Sequence, residues 1–259
     1  MIQRVIDINC DVGESADRHQ LAVDAALMNV ATSVNIACGG HAGDVTTMRD
    51  TIRLAVDRGL AIGAHPGYPD RENFGRVSMR LPQSAVRNHI AQQVAAMARL
   101  LGEHHAPLHH VKLHGALYHE AMADRRIAVA VADVVAELDP GAILVGLAGA
   151  PALDWWRSLG RPVAAEAFAD RRYAPDGSLV SREIPGSVIT DAAAAAEQAE
   201  RIAAGRGVSA ADGGLVAVQA DTICVHSDTP GAPRVASAVR ARLEALGMLI
   251  QPLRLATPS

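Results

Sequence analysis

The chain has 259 residues, and 49% of them are hydrophobic, so it can bury a full core, and its length fits one α/β barrel or two smaller domains. Of these two, we expect a single domain over residues 1–259. The formal net charge is −4, without the clustered lysines and arginines that nucleic acid or an anionic membrane would require, so the composition excludes both as partners.

Short apolar runs that alternate with helical segments predict the β-strands. In chain order these runs occupy residues 4–10, 33–38, 60–65, 109–114, 142–147, 162–168 and 222–226, with 247–253 as a candidate eighth strand. Apolar residues at helical spacing predict helices over 82–101, 120–138, 191–204 and 232–246. Residues 207–219 surround an Asp-Gly-Gly turn and predict an inserted hairpin.

This order of elements indicates a parallel sheet, either a closed barrel or an open doubly wound sheet. The polar residues that follow the strands favour a closed (β/α) barrel of seven or eight strands. In both architectures the chemistry is expected at the carboxyl ends of the strands.

Two strands carry polar residues at period two, which places those side chains on one face of each strand. They are Asp7, Asn9 and Asp11 in the first strand, and His110, Lys112 and His114 in the fourth. Buried parallel strands are normally apolar, and unpaired polar groups inside a barrel would be costly, so a site must satisfy them.

Lys112 is the only lysine among the 24 lysines and arginines of the chain. Lysine is a compact charge that can lose its proton when desolvated, whereas arginine is a wide fork that keeps its charge. A position that retains lysine in such an arginine-rich chain is therefore expected to need one of these two properties.

Other polar groups lie at or directly after predicted strand ends. They are Asn35, His41 and Asp44, His65, the pair Arg171 and Arg172, and the pair His226 and Asp228. Some have structural alternatives: Asp44 and Asp228 both suit helix N-caps, and either arginine could pair with Asp170. An arginine placed there could equally clamp a substrate carboxylate.

Absent motifs narrow the function further. The chain has no G-x-x-x-x-G-K phosphate loop and no G-x-S-x-G nucleophile elbow. Its three cysteines are far apart and odd in number, which favours reduced thiols. The amino terminus lacks the pattern of a secretory signal, and no apolar run is long enough to span a bilayer, so we expect a cytoplasmic protein.

Six motifs in the order found here resemble the LamB/YcsF family of 5-oxoprolinase A subunits. They are DINCDVGE, NIACGGHAGD, GAHPGYPDRENFGR, VKLHGALY, FADRRYAPDGSLVSR and ICVHSDTPGA, spanning residues 7–232. The resemblance implies a distorted TIM-type barrel of the glycoside hydrolase/deacetylase superfamily. It also implies ATP-dependent opening of the 5-oxoproline lactam to L-glutamate, with ATP as co-substrate and subunits B and C as partners.

The resemblance carries the family's functional positions onto residues of this chain, namely Asp11, His41, His65, Lys112, His114, Arg171 and His226. We expect Asp11 or His65 to act as general base, His114 as the acid for the ring nitrogen, and Lys112 to stabilise an oxyanion or phosphate. Arg171 would hold the substrate carboxylate. The remaining expected substrate-binding residues are Asn9, Asn35, His41 and His226.

Two alternatives remain open at this point. The first is a metal-dependent hydrolase acting on another lactam or amide C–N bond, since Asp11, His41 and His65 have the ligand types that Zn²⁺ or another divalent ion takes. The second is a non-catalytic subunit that binds a small anionic ligand.

Overall fold

A computed structural model describes residues 4–254 of the chain. In chain order its strands are β1 (Val5–Val12), β2 (Ser33–Ala37), β3 (Ala61–His65), β4 (His110–Lys112), β5 (Ile143–Leu147), β6 (Val163–Phe168), β7 (Val208–Ser209), β8 (Leu215–Val216), β9 (Thr222–Cys224) and β10 (Leu249–Ile250). Strands β1 to β6 and β9 are parallel neighbours, and β9 also pairs with β1, which closes a barrel of seven strands within the described residues. The predicted fold class is confirmed.

The candidate eighth strand does not close the barrel. Among the described residues, strand β10 pairs with the start of β1 and with no other strand, and Val5 lies opposite Leu249 and Ile6 opposite Ile250. The segment that follows β10 reaches the amino-terminal end of the barrel, where Leu253 packs on the small apolar cluster of Ile143, Val145 and Ala164.

The described residues form eight helices. They are α1 (Arg18–Met28), α2 (Val45–Val56), α3 (Gln83–Glu103), α4 (Gly115–Ala123), α5 (Arg125–Leu138), α6 (Pro151–Ser158), α7 (Ala192–Ala203) and α8 (Ala232–Ala245). The single helix predicted over 120–138 is wrong, because Asp124 adopts an extended conformation between α4 and α5 and caps α5 by accepting a hydrogen bond from the Arg126 amide. None of the helices described is long and apolar enough to cross a lipid bilayer.

The main hydrophobic core lies between the outer face of the barrel and the helices. Outward-facing strand residues such as Ile8 and Ile36 pack there with Ile52, Ile90 and Met97 of the helices. Strands β7 and β8 pair in an antiparallel hairpin, as the Asp-Gly-Gly turn indicates. The cysteines of the described chain are buried free thiols.

Gly63 makes a polar connection across the barrel interior possible. The register places Gly63 between Asn35 of β2 and His110 of β4. The His110 ring crosses the space above Gly63, and its Nε2 lies 2.7 Å from Asn35 Oδ1. A Cβ at position 63 would lie 2.2 Å from that nitrogen, so only glycine permits the contact.

Candidate active site

A cavity of about 350 Å³ opens at the carboxyl ends of the strands. That is the end at which parallel α/β barrels carry their chemistry, and the size suits a small molecule. Of the residues predicted to be functional, the cavity is lined by Asp11, His65, Lys112, His114, Arg171 and His226.

The ammonium group of Lys112 lies at the centre of the barrel. Its Nζ is 2.9 Å from Asp11 Oδ1, 2.8 Å from Glu166 Oε1, and 3.1 Å from Cys224 Sγ. Burial lowers the pKa of Lys112, but Asp11, Cys224 and Glu166 together outweigh this effect and raise the pKa well above its ordinary value. Lys112 is therefore a permanent positive charge between two carboxylates.

Asn9 and Asn35 do not line the cavity and instead lie buried close to this charge cluster. Asn35 Nδ2 donates to Asn9 Oδ1 at 2.7 Å and to Asp11 Oδ1 at 2.8 Å. Asn9 Nδ2 in turn donates to Glu166 Oε1 at 3.1 Å. Their contacts hold the carboxylates in place from outside the cavity lining, and a substrate-binding role for these amides stays a prediction.

Three histidines and Glu14 form a second cluster beside the cavity, which we call the histidine cluster: Glu14, His41, His65 and His114. The rings of His41 and His114 are stacked with centroids 3.6 Å apart, and His65 meets both rings edge-on. His41 is buried behind His114 and is not part of the cavity lining.

Asp11 and Glu14, the two carboxyl groups at the histidine cluster, have pKa values that are shifted in opposite directions. Burial raises the pKa of Asp11, but His65 and Lys112 outweigh it and hold the pKa well below its usual value. Burial and the negative charge of Asp11 raise the pKa of Glu14 well above its usual value. Burial, with His65, lowers the pKa of His41 to about 2.

His226 forms a dyad with Asp170. His226 Nδ1 is 3.0 Å from Asp170 Oδ1, and Thr229 Oγ1 donates to Asp170 Oδ2 at 2.6 Å. Burial raises the pKa of Asp170, but His226 and Thr229 outweigh it and bring the pKa down to about 2. An ionised Asp170 accepts the Nδ1 hydrogen, so Nε2 of His226 is the ring nitrogen left for the cavity that His226 lines.

Arg171 and Arg172, the two arginines suggested as carboxylate ligands, lie in different environments. Arg171 is buried and lines the cavity, while the exposed Arg172 donates from Nε to Gly186 O at 2.9 Å. Within residues 4–254 neither arginine pairs with Asp170, which is occupied by His226. Burial and the nearby Arg182 lower the pKa of Arg171 to about 10, so it stays charged at neutral pH.

The interpretation as a helix N-cap is correct for Asp44 and wrong for Asp228. Asp44 caps α2, with Oδ1 accepting a hydrogen bond from the Thr47 amide at 2.8 Å. Asp228 does not cap α8, since the left-handed Gly231 stands at the cap position. Asp228 instead pairs with Arg182 at 2.9 Å and with Arg76, and both arginines line the cavity.

Sequence reasoning missed three acidic residues of the site: Glu14, Glu166 and Asp170. The period-two rule already applied to β1 and β4 would have found Glu166, which shares the inward face of β6 with Ala164 and Phe168. Glu14 and Asp170 lie just after strand ends, where the sequence does not show which way a side chain points.

Together these features define an α/β-barrel protein with a histidine-rich pocket over a buried ion cluster. Comparison with known proteins identifies its family: residues 6–257 match the LamB/YcsF family. The 5-oxoprolinase A subunit of Heliobacterium modesticaldum is 45% identical over 95% of this chain and 97% of its own length. That of Thermococcus sibiricus is 43% identical over 96% of this chain and 98% of its own. The chain therefore belongs to the LamB/YcsF family.

Solved structures agree with this fold. The lactam utilization protein of Thermus thermophilus is similar, with a TM-score of 0.87 and 43% identity, covering 95% of this chain and 99% of that one. A family 4 carbohydrate esterase of Streptomyces lividans has a TM-score of 0.51 at 12% identity, covering 95% of this chain and 91% of that one. The second likeness concerns the fold alone.

Proposed function

We propose that this chain is the A component of an ATP-dependent 5-oxoprolinase. In a complex with subunits B and C, it would hydrolyse the lactam C–N bond of 5-oxoproline to give L-glutamate, coupled to hydrolysis of ATP to ADP and phosphate. The names of the full-length relatives support the assignment. The observation that carries it is a buried arginine in a small cavity that is also lined by His226, the histidine of a histidine–aspartate dyad.

Arg171 is suited to bind the carboxylate of 5-oxoproline. Its guanidinium donates to Val180 O at 2.6 Å, whereas its buried Nε has no hydrogen-bond partner among the described residues. A buried donor without an acceptor is costly, and a carboxylate would satisfy it with a charge-assisted hydrogen bond. Arg76 and Arg182 already share the carboxylate of Asp228, whereas Arg171 has no ion-pair partner among the described residues, so Arg171 is the stronger candidate.

The dyad is suited to move a proton. A histidine whose Nδ1–H is held by an ionised aspartate presents a basic Nε2 and can exchange a proton with a leaving nitrogen. His114 is placed differently, because its Nε2–H donates to Phe74 O at 2.9 Å and its Nδ1 faces His65 Nε2 at 3.0 Å. We therefore move the role of acid for the ring nitrogen from His114 to His226, with Asp170 as its positioning residue.

Asp11, His65 and His114 would form the side of the cavity that receives the attacking water. Lys112 would act there through its charge, by fixing Asp11 and by making the floor of the cavity less negative. A five-membered lactam is a poor electrophile, so activation of its carbonyl by ATP lowers the barrier to attack by water, and an oxyanion then develops that positive charge stabilises.

A reconstituted complex tests this function. The chain would be combined with subunits B and C, and glutamate and ADP would be measured with 5-oxoproline and ATP as substrates. We expect equal amounts of both products, and only when this chain is present. Glutamate release at the same rate without the chain, or none with all three subunits, would contradict the proposal.

The histidine cluster supports a second candidate function, metal-dependent hydrolysis of an amide C–N bond without ATP. Its residue types are those of hydrolytic metal sites. ATP separates the two candidates: turnover of the lactam by the chain alone, in the absence of ATP and partners, would favour this alternative.

A further inference from the structure

His65 and His114 each donate one ring N–H to a backbone carbonyl. His65 Nδ1 lies 2.8 Å from the Lys112 oxygen, and His114 Nε2 lies 2.9 Å from the Phe74 oxygen. A carbonyl oxygen only accepts hydrogen bonds, so both of these nitrogens carry hydrogen. In the neutral rings, the lone pairs are therefore on His65 Nε2 and His114 Nδ1.

These two lone pairs face each other. His65 Nε2 and His114 Nδ1 are 3.0 Å apart, and no hydrogen lies between them when both rings are neutral. Glu14 Oε1 lies 3.4 Å from His114 Nδ1 and 4.0 Å from His65 Nε2, and Asp11 Oδ2 lies 3.5 Å from His65 Nε2. His65 Nε2, His114 Nδ1 and Glu14 Oε1 thus surround one buried point, with an Asp11 oxygen beside His65, and a cation bound there would satisfy the two lone pairs.

We infer that this point binds a divalent transition-metal ion of the Zn²⁺ type. Zinc bound to nitrogen and oxygen at about 2.0–2.1 Å places neighbouring tetrahedral ligands about 3.3 Å apart. The separations of 3.0, 3.4, 3.5 and 4.0 Å surround this value. The ligands are Glu14, His65, His114 and Asp11.

The surroundings of these ligands also fit a metal site. Metal-binding histidines almost always donate their second ring nitrogen to a carbonyl or carboxylate, as both histidines do here. His41 Nε2 lies 3.1 Å from Glu14 Oε1 and orients that carboxylate. The sequence suggested Asp11, His41 and His65, whereas the geometry adds Glu14 and His114 and gives His41 the orienting role.

Metal binding by the isolated full-length chain tests this inference, independently of any lactam or ATP. The chain would be produced without a histidine tag, stripped with a chelator and titrated with Zn²⁺ against a chromophoric chelator. Co²⁺ would serve as a spectroscopic probe. We expect one ion per chain and a visible Co²⁺ absorption typical of four-coordinate nitrogen and oxygen ligation.

Variants identify the ligands. His65→Gln and His114→Gln should each weaken Zn²⁺ binding at least about 100-fold, since even residues that only orient ligands cost about 10- to 100-fold. His19→Gln, at an exposed position on α1, is the matched control and should bind like the unaltered chain. Glu14→Gln provides a further ligand variant if a histidine variant does not fold. Absence of a stoichiometric ion, or equal affinity in ligand and control variants, would overturn the inference.

Discussion

At the scale of single residues, Lys112 shows what kind of positive charge this barrel can hold. Four acceptors surround one nitrogen, with Glu166 at 2.8 Å, Asp11 at 2.9 Å, Cys224 at 3.1 Å and Asn9 at 3.3 Å. The sequence left two reasons for a lysine, its compactness and its ability to lose a proton. Because the pKa of Lys112 is raised, compactness is the property that matters, and the wide fork of arginine does not suit this arrangement.

Replacing this charge should destabilise the fold. Lys112→Met leaves Asp11 and Glu166 buried without their cation, and breaking a buried ion pair costs about 3–5 kcal/mol. Urea unfolding should show a loss of this size, and the double variant Lys112→Met/Glu166→Gln should recover part of it. A loss below about 1 kcal/mol, or normal turnover of the reconstituted complex with Lys112→Met, would refute the role given to this lysine.

At the scale of elements, Asp170 connects the carboxyl ends of two neighbouring strands. It follows β6, and it accepts hydrogen bonds from His226 and Thr229, which follow β9. Asp170 is fully buried, so these contacts and the charge interaction with His226 are what keep it ionised. The link fixes the side of the cavity that carries the proposed proton-transfer group.

This link predicts a dependence of stability on pH. The pKa of Asp170 is lowered from 3.8 to about 2 in the folded chain, so the stabilisation is present above about pH 4 and is lost as the pH falls to about 2. It amounts to about 2 kcal/mol. The free energies of unfolding of the unaltered chain and of Asp170→Asn, measured with urea, should therefore converge by about 1.5 kcal/mol between pH 5 and 2.5. Parallel pH profiles of the two proteins would show that Asp170 is not stabilised as described.

The sequence predicted elements better than it predicted contacts. Period-two alternation predicted the inward face of β1 and β4 correctly, because side chains of a strand alternate whatever surrounds them. It could not show that Asn9 and Asn35 lie beneath the cavity, since depth along a barrel depends on the register between strands. The break at Asp124 was missed because apolar residues continue at helical spacing on both sides of it.

At the scale of the whole molecule, the closed barrel of seven strands brings residues from distant parts of the chain to one cavity. Asp11, Lys112 and His226 are separated by more than 100 residues from one another and line the same space. The motifs around them span most of the chain, which is why family membership could be predicted from the sequence. The hydrogen-bonding state of each ring and carboxylate depends on neighbours across the barrel, and only the structure supplies it.

The central claim, that this cavity receives the lactam substrate by its carboxylate, is tested most directly by the KM for 5-oxoproline in the reconstituted complex. Arg171→Gln removes a charge-assisted interaction of about 1.5–3 kcal/mol, so KM should rise about 10- to 100-fold with a much smaller change in kcat. Arg172→Gln is the matched control, because its side chain is exposed and outside the cavity lining, and its KM should be unchanged. An unchanged KM for Arg171→Gln, or an equal rise in both variants, would contradict the account.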